Sequence, residues 1–198
     1  MLEYKDATIK VGERVLVEHL SLIAKDGELT CVTGPEGSGK TVFLRTLMGF
    51  LPVEEGFVSV DGELLTVHSA HAFRKMMVYL PQKIQMLAHA LNEPEPLEPE
   101  ADEYAVWNDV LSPAVQMTAP EPLTAEEILL LAEKTLREAA DKPIVIADEP
   151  TASLTPELSM RMIMLLRQQV EMGKTVLVAS RKPQVLDYAD QVITLEKR

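Results

Sequence analysis

The segment Gly34-Pro35-Glu36-Gly37-Ser38-Gly39-Lys40-Thr41 fits the pattern G-x-x-x-x-G-K-[ST] and restricts the fold more than any other stretch. Glycines let the backbone turn so that successive N–H groups point inward at one anion. Such a loop leaves the end of a strand and enters the first turn of a helix, whose positive end adds to the anion site. The flanks agree. Glu28–Thr33 is a β-prone run, and Thr41–Phe50 carries Val42, Leu44, Leu47 and Met48 at helical spacing. The chemistry of the pattern assigns Lys40 to the β and γ phosphates of a nucleotide and the Thr41 hydroxyl to Mg²⁺.

The remaining chain supplies the layers that such a loop needs. Residues 2–32 read as β-rich, with short runs at Val15–Val17 and His19–Ile23 and a turn at Lys25-Asp26-Gly27. Phe57–Val60 reads as a strand before the turn Asp61-Gly62, and Met76–Leu80 as a strand stopped by Pro81. Thr124-Ala125-Glu126-Glu127 is a capping box opening a helix to about Ala140. Ile144–Ala147, Thr175–Ala179 and Val192–Leu195 read as strands, with a helix over Pro156–Met172. Strands alternating with helices predict a largely parallel sheet covered by helices on its faces. Between these elements, Glu93–Glu100 alternates acid and proline. That predicts an extended, exposed loop, because proline removes donors and like charges repel.

Composition narrows the function classes. The 198 residues suit one domain, and 46% apolar with 25% charged residues suits a packed globular one. The longest apolar run is five residues, as in Ile128–Ala132, against roughly 20 for a bilayer span. The N-terminus has no apolar secretory core, and the single cysteine, Cys31, excludes a disulfide framework, so the chain reads as cytosolic. With 19 basic and 31 acidic residues the net charge is −12, which disfavours nucleic acid and anionic lipid as partners.

Ile144-Val145-Ile146-Ala147 ends in two acids, Asp148 and Glu149. Ligands of open α/β sheets bind at the carboxyl ends of strands. Asp148 is placed to hold Mg²⁺ and Glu149 to take a proton from an attacking water. His68 and His71, three apart, lack further metal ligands nearby. Cys31 reads as a strand residue, and Met160, Met162 and Met164 as core or partner contacts. A guanine-reading Asn-Lys-x-Asp motif is absent.

Taken together, these residues resemble the nucleotide-binding domain of the ABC (ATP-binding cassette) ATPases over nearly the whole chain. Gly34–Thr41 resembles the family's Walker A motif, Glu55–Gly62 its strand and turn before the glutamine loop, Leu80-Pro81-Gln82 that loop, and Ile144–Thr151 its Walker B region. The resemblance implies an α/β P-loop NTPase fold with a mainly parallel core sheet and an N-terminal antiparallel β subdomain. It also implies a reduced helical subdomain over about 83–140, containing the acidic, proline-rich loop 92–103. It makes Gln82 a Mg²⁺- and water-sensing residue, implies ATP and Mg²⁺ as ligands, and places the chain at the inner face of a membrane.

The departures from the family pattern are lopsided. Its signature, Leu-Ser-Gly-Gly-Gln, is matched by Pro122–Ile128, which has no glycine pair and carries Glu126 and Glu127. Those acids suit their own helix dipole but repel a triphosphate brought to it by a second subunit. Arg181 occupies the switch-histidine position; it can contact a γ-phosphate but cannot shuttle a proton at neutral pH. Thr155 matches the D-loop aspartate and Val11 the adenine-stacking aromatic, Tyr4 standing too early for that role. Groups holding phosphate and Mg²⁺ within one chain are intact, whereas those completing a site across a dimer are lost. One function that follows is an ATPase subunit of a transporter, working beside a second, intact cassette and a transmembrane permease, with slow turnover on its own. The alternative is a regulatory or assembly module in which ATP acts as a ligand.

Overall fold

The computed structural model describes residues 1–84 and 123–196. The described elements are β1 (Leu2–Val11), β2 (Arg14–Ala24), β3 (Leu29–Thr33), α1 (Lys40–Leu47), β4 (Glu55–Val60), β5 (Glu63–Leu64), α2 (Ala70–Lys75), β6 (Met77–Leu80), α3 (Ala125–Glu138), β7 (Ile144–Asp148), α4 (Pro156–Glu171), β8 (Thr175–Ala179), α5 (Pro183–Asp187) and β9 (Gln191–Thr194). The proline-rich loop 92–103 and most of the helical subdomain expected over 83–140 lie outside the described residues.

The β-rich start resolves into a hairpin. β1 and β2 pair antiparallel, with Leu2 opposite Ala24 and Val11 opposite Arg14. β4 pairs antiparallel on the other edge of β1, and the order is β2-β1-β4-β5. β1 is longer than its apolar pattern suggests, because a bulge near Asp6 (φ 50°) shifts the register between Tyr4 and Ala7. Bulges let a strand continue while re-aiming its side chains. On the facing strand His19 (φ 50°) sets Nδ1 2.8 Å from Asp6 Oδ1.

The second sheet is parallel throughout, in the order β6-β7-β8-β3-β9. Its inner strands β7, β8 and β3 are buried on both faces, and their residues alternate between two cores. Ile144, Ile146, Leu177, Ala179 and Val32 join a core with α1 and the antiparallel sheet. Val145, Ala147, Val176, Val178 and Cys31 join another with α3 and α4. Near-continuous apolar runs are what a doubly covered parallel sheet requires. Tyr4 is fully within the first core. Its ring stacks 4.7 Å from that of Phe43, and its hydroxyl donates to Phe43 O at 2.9 Å.

Helix ends follow local chemistry. The Thr124 hydroxyl accepts from Glu127 N at 3.2 Å while Glu127 Oε2 accepts from Thr124 N at 2.8 Å, completing the capping box. Thr155 caps α4 by accepting from Leu158 N at 3.3 Å, with Pro156 following it. α1 stops at Leu47, earlier than the periodicity suggests, because Gly49 (φ 73°) turns the chain. α2 begins at Ala70, so His68 stands in the preceding turn and shares no helix face with His71. Among the described residues, no helix is long and apolar enough to cross a membrane.

Candidate functional site

Parallel pairing brings the carboxyl ends of β3, β7 and β8 to one edge, where Asp148 lies opposite Ala179. The loop Gly34–Gly39 leaves β3 at this edge and enters α1. Gly34 (φ 150°) cannot be replaced without movement, since a Cβ there would stand 2.4 Å from Leu195 O and 2.7 Å from Ser38 Oγ. Gly39 (φ 92°) caps α1 in the left-handed region that lacks a side-chain penalty only for glycine. The expected strand, turn and helix context of the loop is therefore present.

Lys40 is buried, and its Nζ donates to Gly34 O at 2.8 Å and Pro35 O at 3.2 Å, folding the side chain back along the loop. Thr41 Oγ1 donates to Asp148 Oδ2 at 2.7 Å. Asp148 is 1% exposed, and burial pushes its carboxyl up, against the hydrogen bond from Thr41. Its other oxygen, Oδ1, is buried with no hydrogen-bond partner, as is Ser38 Oγ. Buried polar atoms without partners are uncommon, because each carries an uncompensated desolvation cost. A carboxylate oxygen and a threonine hydroxyl are hard ligands of the kind Mg²⁺ takes, so the donor set fits that ion. Tyr79 on β6 faces the same carboxylate; burial raises its phenol, and the Asp148 charge adds to the shift.

Glu149 adopts φ 47°, unusual for a residue with a side chain, while its N–H donates to Ala179 O at 2.8 Å. The carboxylate is almost enclosed. Oε1 lies 3.3 Å from Arg181 Nε and 3.9 Å from Lys40 Nζ, and Oε2 accepts from Arg181 N at 3.4 Å. Arg181 Nη1 reaches Glu36 Oε2 on the loop at 3.5 Å. Arg181 thus bridges the two acids. Gln82 is exposed just beyond β6, and with Pro81, Ile84, Ile128 and Ser153 it lines a small cavity that Glu149 also borders.

Gly34–Thr41, Asp148, Glu149 and Arg181 are thus brought to one edge of the sheet, with Gln82 beside Glu149. The sequence reading missed Lys182, whose Nζ donates to Thr151 O, to Leu154 O at 3.5 Å and to Ser159 Oγ at 3.4 Å. It ties the turn after Glu149 to the start of α4. A lysine next to Arg181 and Pro183 carries no local signal of that role. Cys31 is buried, and burial pushes its thiol up to about 12, which suits a packing residue. Among the described residues, no group of three or more His, Cys, Asp or Glu side chains could hold a metal.

A family model described as ABC transporter matches residues 17–152. An ABC transporter ATP-binding/permease protein of Mycobacterium tuberculosis is 28% identical over 201 residues, covering 93% of this chain. The chain spans only 23% of that relative and 34% of an ATP-dependent lipid A-core flippase of Cupriavidus metallidurans, to which it is 25% identical. It spans 83% of the L-cystine import ATP-binding protein of Bacillus subtilis, 25% identical over 100% of this chain. In fold, it is similar to a dimeric ATP-binding cassette in a post-hydrolysis state bound to ADP and Pi. That match has a TM-score of 0.71 at 21% identity, covering 100% of this chain and 97% of the other.

Proposed function

The chain belongs to the ABC transporter family, and we propose that it is an ATP-binding subunit that binds Mg·ATP through Gly34–Thr41 and closes against a second cassette. The observation carrying this reading is the pairing of the loop with Asp148, whose buried Oδ1 lacks a partner beside the Thr41 hydroxyl. The whole of residues 1–198 is read as one ATPase domain, with a helical subdomain over about 83–140.

In this reading the N–H groups of Pro35-free positions Glu36 to Gly39, together with the start of α1, hold the phosphate oxygens. Lys40 swings from its carbonyl partners to the β and γ phosphates. Thr41, Asp148 and Gln82 hold Mg²⁺, which when bound offsets charge on the phosphates. Glu149 accepts a proton from the attacking water on a carboxylate oxygen. The Gln82 region transmits closure to a transmembrane permease at the inner face of the membrane. The partner cassette is an intact one, because α3 of this chain offers Glu126 and Glu127 where a signature would offer glycines and a serine. Turnover by the isolated chain is accordingly slow.

Calorimetric titration with Mg·ATP tests the reading. Saturable binding by the wild type, lost in Lys40→Ala, is expected; equal, unsaturable signals in both would sink it. Copurification from detergent tests the transport assignment, which requires a membrane-embedded partner.

A further inference from the structure

We propose that Arg181 is a positioning residue that keeps the Glu149 carboxylate from capturing Lys40, and so leaves Lys40 available to phosphate. This rests on the reading of Gly34–Thr41 as a nucleotide site. Two cations share one oxygen. Glu149 Oε1 is 3.3 Å from Arg181 Nε but 3.9 Å from Lys40 Nζ, and Oε2 also accepts from the Arg181 backbone N–H at 3.4 Å. Lys40 meanwhile donates to Gly34 O and Pro35 O. Lys40 and Glu149 are each 8% exposed, so water does little to screen their attraction.

A buried carboxylate needs a counter-charge. The main chain of Glu149 is fixed at this edge by its N–H bond to Ala179 O, and its side chain is almost enclosed. With Arg181 absent, Lys40, already 3.9 Å from Oε1, is the remaining cation within ion-pair distance of Glu149 among the described residues. Any polyphosphate must then compete with a fixed, enclosed carboxylate for the loop lysine. The geometry supplies the arginine side chain as the competitor that relieves this, through its guanidinium Nε; the backbone N–H contact to Oε2 stays in every variant. The second guanidinium contact, Nη1 to Glu36 Oε2 at 3.5 Å, joins groups 50% and 91% exposed, and solvent screens it.

This differs in outcome from a direct arginine contact to the γ-phosphate. Lys40 serves the β phosphate too, so the loss of Arg181 should weaken di- and triphosphate binding alike. Titrate the full chain with Mg·ADP and Mg·ATP for wild type, Arg181→Ala, Arg181→Lys, Glu149→Gln, the Arg181→Ala/Glu149→Gln double variant and Lys40→Ala. Arg181→Ala should bind both nucleotides about tenfold more weakly. The double variant should return to within about twofold of Glu149→Gln, because the competing charge is gone. Arg181→Lys should recover most of the loss and keeps the test open if the alanine variant fails to fold. Weakening confined to ATP, or a double variant as weak as Arg181→Ala, overturns the proposal. Wild type and Lys40→Ala that both fail to bind overturn the nucleotide reading itself, and the proposal with it, by a distinct signature.

Discussion

Beside the glycine-rich loop, the carboxylates of Asp148 and Glu149 face Thr41, Lys40 and Arg181 at 2.7 to 3.9 Å, and both side chains are enclosed. At the start of α3, Glu126 and Glu127 are exposed; Glu127 turns back onto the N–H and hydroxyl of Thr124. The first arrangement leaves Asp148 Oδ1 and Ser38 Oγ buried without hydrogen-bond partners. The second is locally complete, with its acids already serving their own helix. Acids near a ligand site and acids at a helix start thus differ in what they demand. The enclosed ones need a cation, and the exposed ones have water and the helix dipole.

The largest effect that can break this contrast is on turnover. Glu149→Gln should lower any ATP hydrolysis by roughly 10²–10⁴-fold while ATP still binds, because general base catalysis contributes that much. Wild-type rates in this variant, assayed beside a partner cassette, would remove Glu149 from the chemistry. Next in size, Lys40→Ala should cost about 2–3 kcal/mol of Mg·ATP binding, roughly 100-fold in Kd, the value of a charge-assisted contact.

The α3 side is probed by association. Light scattering of Glu149→Gln should show no ATP-dependent homodimer. A triphosphate about 4 Å from a carboxylate at an effective dielectric near 20 meets roughly 4 kcal/mol of repulsion. A monomer-to-dimer shift on adding Mg·ATP would mean that the α3 start can serve as a signature after all. The smallest effect sharpens the contrast. Thr124→Ala should cost about 1 kcal/mol of stability by denaturant unfolding and leave Mg·ATP affinity unchanged, as a cap of purely structural worth would. The hydrogen bonds from Thr124 hold the Glu127 carboxyl below its usual range. Its share of stability is therefore present above the ordinary glutamate pKa, about 4.3, and is lost as pH falls through the lower folded value. The penalty of Thr124→Ala should shrink in acid accordingly.

Much of this was legible in the residues. The strand, loop and helix around Gly34–Thr41, the capping box at Thr124 and the parallel strands at 144–148 and 175–179 rest on short-range rules: φ freedom, N–H satisfaction and apolar runs. Other roles were not legible in the residues. Thr155, read as a missing aspartate, caps α4. The length of β1 depended on a bulge at Asp6 that alternation does not announce. Lys182 found its carbonyl partners only through the turn after Glu149.

The sequence by itself determined the composition of the glycine-rich loop, because Gly34, Lys40 and Thr41 are close in the chain and their backbone geometry is local. It also determined that two acids end a buried strand, since Ile144–Ala147 has no other place than the sheet interior. Only the tertiary structure decided which charge meets which. Glu149 and Arg181 are 32 residues apart, and β7 and β8 must pair in register before the arginine can reach Glu149 Oε1 at 3.3 Å. Coulombic choices among several nearby cations turn on fractions of an ångström in a poorly screened interior, and residue order alone does not carry that distance.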